Sequence, residues 1–66
     1  MQITMNGERR EIAGPTTVAD LLAQCQLPVR GVAVEVNSQL VPRARHAEQL
    51  VQEGDWLEVV TLVGGG

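Results

Sequence analysis

Asn6-Gly7 forces the chain to reverse direction almost as soon as it starts. Before it, Ile3 and Met5 alternate with Gln2 and Thr4, the period-two pattern of a half-buried strand over Met1 to Met5. Asparagine and glycine both tolerate positive φ, so the dipeptide suits the two central positions of a type I′ turn, and Glu8 to Ala13 is expected to return as the second strand. A strict two-residue turn sets Arg10 opposite Ile3, on the face expected to be buried. A bulge, or an edge position for the second strand, would resolve that conflict, and the pattern leaves both open.

Gly14-Pro15 breaks the second strand, and Thr17 then offers a hydroxyl cap with Asp20 three residues on. Val18, Leu21, Leu22 and Cys25 recur at helical spacing, which predicts an amphipathic helix facing the sheet and running until Pro28 forbids continuation. Cys25 belongs to that stripe and reads as a small buried hydrophobe rather than a nucleophile. Three alternating valines in Val32 to Asn37 predict a third strand. Asn37-Ser38 turns the chain into a short Gln39-Leu40-Val41 segment that Pro42 ends, because proline cannot donate to a ladder. Residues 43 to 49 have room for one or two helical turns. Gly54-Asp55 makes the next turn, and Trp56 to Val63 is the final strand.

The core has to be aliphatic, since Phe and Tyr are absent and Trp56 is the only aromatic among 66 residues. A chain this short makes one domain with a small core and has no room to enclose a substrate. The five basic residues, Arg9, Arg10, Arg30, Arg43 and Arg45, are scattered over a chain of net charge −3, which is no footprint for nucleic acid. No apolar run approaches the roughly 18–20 residues of a membrane-spanning helix. The single Cys25 cannot form an internal disulfide and no leader-like segment comes before the first strand, so the cytoplasm is the expected setting. Cys25 and His46 lack companions at ligand spacing, so no metal site is expected. Lysine is absent. That would spare an activated carboxyl terminus from internal amines, although an Ala-, Val- and Arg-rich composition accounts for it without such a role.

The final strand is apolar on both sides: Leu57, Val59, Thr61 and Val63 share one face, and Trp56, Glu58, Val60 and Leu62 the other. A sheet with one helix-covered face needs only one apolar side, which leaves Trp56, Val60 and Leu62 as candidates for an exposed partner-binding face. Beyond the expected domain of residues 1–63, residues 64–66 are Gly64, Gly65 and Gly66, expected to form a flexible tail ending in a free carboxylate. Lacking Cβ atoms, they could thread a channel too narrow for side chains. Fully extended, three residues reach roughly 10 Å.

Met1-Gln2-Ile3 with Asn6-Gly7, Thr17-Val18 with Leu21-Leu22, Val36-Asn37 followed by Val41-Pro42-Arg43, the Gly54-Asp55 turn and the closing Val63-Gly64-Gly65-Gly66 form a combination more specific than any piece. With these residues the chain resembles, over nearly its whole length, the ThiS family of sulfur carriers in thiamine biosynthesis. The resemblance implies a ubiquitin-like β-grasp fold, an α+β architecture with a mixed sheet of four to five strands packed on one main helix. One departure is visible: the family pattern carries a Trp a few residues after Val-Pro-Arg, where this chain has His46, expected to be a surface or packing residue.

The resemblance also implies a chemistry. A carboxylate is a poor electrophile and must be activated, and in this family a ThiF-like adenylating enzyme uses ATP to convert the terminal carboxylate, here that of Gly66, into an acyl adenylate. A persulfide charged by a cysteine desulfurase then attacks the acyl carbon, and a C-terminal thiocarboxylate is left, which passes its sulfur to the thiazole synthase ThiG. On this expectation Gly64 and Gly65 are the slim tether, the chain binds no cofactor itself, and it is a protein co-substrate rather than an enzyme. The small subunit of molybdopterin synthase, a ubiquitin-like modifier and a plain binding module are the alternatives. The short length and Val41-Pro42-Arg43 favour the thiamine branch.

Overall fold

Residues 1–28 and 31–61 are described by the computed structural model. β1 (Gln2–Met5) and β2 (Glu8–Glu11) form the expected hairpin, with Asn6 at φ 53° and Gly7 at φ 82° supplying both positive values. The register does set Ile3 opposite Arg10, without a bulge. The conflict is resolved by position, because β2 is an edge strand and all four of its residues are exposed. Arg10 is held at that margin, its Nη1 donating to Cys25 Sγ at 3.5 Å.

After β3 (Thr16–Thr17), helix α1 spans Val18–Gln24. The first turn of a helix leaves amides without partners, and here three residues supply them. Thr17 Oγ1 accepts from the Asp20 amide at 3.1 Å, as its spacing predicts. The Val18 and Ala19 amides donate to the carbonyls of Gln49 and His46, each at 2.9 Å. Val18, Leu21 and Leu22 are buried as the stripe requires. The helix stops three residues sooner than a proline stop at Pro28 would allow. Gln26 takes φ 58°, its amide donates to Ala23 O and the Leu27 amide to Leu22 O, a Schellman closure that leaves Leu27 packed on the core.

β4 (Val32–Val36) and β5 (Gln39–Val41) make a second two-residue hairpin, with Asn37 at φ 52° and Ser38 at φ 72°. A 3₁₀ turn over Arg43–Arg45 occupies the start of the segment 43–49, where one or two helical turns were expected. β6 (Leu50–Val51) then pairs antiparallel with β3, a small second sheet that no periodicity in the sequence announces. β7 (Trp56–Thr61) closes the described chain.

The main sheet has the order β2-β1-β7-β4-β5, with β7 parallel to β1 and antiparallel to β4. This is the mixed sheet of five strands on one helix expected of a β-grasp. The buried apolar residues form a single cluster in which Ile3, Val18, Leu21, Val34 and Leu57 are the most enclosed.

Two turn asparagines fasten β7 from opposite sides. The β1 ladder reaches β7 only as far as Leu57. There the Asn6 carboxamide takes over, accepting from the Val59 amide at 2.8 Å and donating to the Val59 carbonyl at 3.0 Å. On the β4 side Asn37 Oδ1 accepts from the Trp56 amide at 3.0 Å, while its Nδ2 donates to Asp55 Oδ1 at 3.1 Å. A side-chain amide has the donor and acceptor of a peptide group, so Asn6 substitutes for a missing strand residue, while Asn37 ties the first amide of β7 to the Asp55 carboxylate.

Two outcomes follow for stability, both measurable by chemical denaturation. Asn6→Gly keeps the turn geometry but strips both partners from Val59, and should cost about 1–3 kcal/mol and speed amide exchange at Val59. Gln26→Gly should raise stability by about 1 kcal/mol, because glycine carries no left-handed penalty at the helix stop.

Candidate functional site

β7 separates its side chains as the alternation predicts. Leu57 and Val59 point into the core at 0% and 8% exposure, whereas Trp56 and Val60 lie on the uncovered face at 51% and 55%. Leu62 and the tail residues Gly64, Gly65 and Gly66 lie outside the described residues.

The uncovered face is wider than β7. Val60 sits opposite Ala33 on β4, Glu58 opposite Glu35, and Glu35 in turn opposite Leu40 on β5. Leu40 is 65% exposed. Ala33, Glu35, Leu40, Trp56, Glu58 and Val60 line one shallow groove across the three strands. Trp56 Nε1 donates to Glu58 Oε1 at 3.4 Å, linking the indole to the carboxylate two residues on. Sequence reasoning found the β7 half of this groove and missed Ala33, Glu35 and Leu40. Their strand alternation was readable, since Ala33 and Glu35 fall between inward valines. The identity of the strand beside β7 was not.

The two residues with latent chemistry serve packing. Cys25 is half-buried against the core, with Arg10 as its polar neighbour. His46 is buried at 5% exposure with Nε2 3.0 Å from the Val41 carbonyl, and its own carbonyl receives the Ala19 amide. It therefore joins β5 to the start of α1, in keeping with a packing role. Among the described residues no group of three or more His, Cys, Asp or Glu side chains could hold a metal. No helix among them is long and apolar enough to cross a membrane. What the described surface offers chemically is recognition: apolar area, an indole and a pair of carboxylates on one open face.

Residues 3–66 match the sequence profile of the ThiS family. The sulfur carrier protein ThiS of Escherichia coli is 36% identical over 66 residues, covering the whole of both chains. A thiazole synthase of Paramagnetospirillum magneticum is 41% identical over the same 66 residues, and the chain spans 20% of that protein's length. The crystal structure of the thiamine biosynthesis protein ThiS from Geobacter metallireducens superposes with a TM-score of 0.86 at 29% identity, all of both chains being covered. Profile, full-length relative and superposed fold agree, and the chain belongs to the ThiS family of the ubiquitin-like β-grasp fold.

Proposed function

We propose that this chain is a sulfur carrier of thiamine biosynthesis, acting through a thiocarboxylate at Gly66. The observation that carries the reading is the full-length match to a protein named as a sulfur carrier, with the family match extending through the three glycines. Carriers of the same name in Bacillus subtilis and Thermus thermophilus, at 40% identity over 50 residues and 31% over 64, support it. The role is that of a co-substrate. A domain with an aliphatic core and an open groove contributes presentation, while catalytic groups come from its partners.

In this reading a ThiF-like adenylating enzyme joins the Gly66 carboxylate to AMP, with pyrophosphate leaving from ATP. The terminal sulfur of a persulfide, supplied through a cysteine desulfurase, attacks the acyl carbon and expels AMP. A thiol then cleaves the resulting acyl disulfide, and the thiocarboxylate remains. Thiazole synthase is the proposed acceptor. The two thiazole synthases that match the chain over 66 residues, at 41% and 38% identity, support that partner, because a stretch similar to this chain is there part of the same polypeptide. Gly64 and Gly65 act as the narrow tether, and Trp56, Val60 and Leu62 as part of the docking face.

Intact mass after co-expression with a ThiF-like enzyme tests the reading directly. The mass should rise by the difference between sulfur and oxygen, and an unchanged mass in the presence of an active enzyme and sulfur donor would overturn it. Cys25→Ala should be charged as well as the parent, whereas removing Gly65 and Gly66 should abolish charging with circular dichroism unchanged. Gly65→Val should block adenylation sharply, since a branched side chain would meet the walls of a channel sized for glycine.

The face assignment has its own check in paired truncations. Val60→Ala should weaken partner binding about tenfold while costing the fold less than about 0.5 kcal/mol. Val59→Ala, on the buried side, should chiefly destabilise, by about 1–3 kcal/mol.

A further inference from the structure

The groove on the open face holds an arrangement that its own fold does not need. Glu35 and Glu58 stand directly opposite one another on neighbouring strands, a pairing of like charges that works against the sheet. Among the described residues neither carboxylate has a cationic partner within ion-pair distance. Around them are the exposed apolar side chains of Leu40, Trp56 and Val60. Two carboxylates on facing strands, bordered by an indole, match the needs of one particular group. A guanidinium is planar, presents five donors in a fixed fork and stacks on aromatic faces, so it could bridge both glutamates while lying against Trp56. An ammonium would satisfy the charge without the fork.

We infer that the open sheet face docks a protein surface presenting an arginine surrounded by apolar side chains, the arginine seated between Glu35 and Glu58 beside Trp56. This rests on the carrier reading above, which requires the domain to dock on enzymes. Charge decides the occupant. A second copy of the chain using the same face would set the glutamate pair against its own image, because a two-fold interface places identical patches in contact. A basic apolar partner instead relieves the repulsion that the free domain carries. The apolar rim supplies area, and the carboxylates set register and selectivity.

The experiment compares the parent with E35Q/E58Q in binding to the ThiF-like adenylating enzyme and to thiazole synthase at low and high salt. The melting temperature of E35Q/E58Q should equal or exceed that of the parent, since the substitution removes repulsion at exposed positions. At low salt it should bind roughly fivefold more weakly, and the fall in parent affinity on adding salt should be largely lost. Equal affinity and an equal salt response for parent and double variant, at every enzyme that binds, would overturn the arginine seat and leave the carrier reading intact. Failure of the parent to bind either enzyme would defeat the carrier reading, and this inference with it. Sedimentation of the parent alone is the remaining arm: a stable dimer that E35Q/E58Q strengthens would assign the face to a second copy and overturn the inference.

Discussion

β7 comes last in the described chain and lies in the middle of the sheet, and the rest of the fold depends on that insertion. It completes both hairpins at once, pairing in parallel with β1 and antiparallel with β4. Its inward residues Leu57 and Val59 close the core against α1. A parallel neighbour cannot arrive through a tight turn, so the whole helix and second hairpin serve as the crossover between β1 and β7. The ladder with β1 is short, and the Asn6 carboxamide lengthens it by one residue. Asn37 fixes the start of the same strand from the other side. The residues that turn the hairpins are thus the residues that lock the central strand.

That placement accounts for how a domain with so small a core presents a surface. The helix covers one side of the sheet only, and the central strand carries apolar residues to the uncovered side as well. Burying Trp56, Val60 and Leu40 would add stability to a marginal domain, yet they stay exposed. Apolar side chains grouped around a groove on an otherwise acidic chain are what supports the proposed docking face. In sequence, β7 is followed by Leu62, Val63 and the three glycines. On the carrier reading proposed above, a partner that held the groove would hold the strand that the glycines follow in sequence.

Much of this was legible from the residues. Asn6-Gly7 gave the first hairpin, Thr17 the helix start, and the alternation of valines the third strand. The same alternation separated the two faces of β7. The reading failed where local signals compete with tertiary ones. Pro28 was the visible helix stop, but Gln26, which has no strong left-handed preference, accepted φ 58° so that Leu27 could pack on the core. The β3–β6 ladder was invisible because two residues carry no period. His46 gave no hint that it would bridge Val41 and Ala19 beneath the helix.

By itself, then, the sequence determined which residues turn, which face inward within each element and which family the pattern resembles, because all three depend on short spacings along one chain. The tertiary structure alone decided that Arg10 lies at an edge rather than in a bulge, that Asn6 and Asn37 grip β7, and that Ala33, Glu35 and Leu40 join Trp56, Glu58 and Val60 on one groove. Each of those depends on which strands become neighbours. Neighbours are chosen by how the whole set of apolar faces can be buried together, and no local window of residues contains that choice.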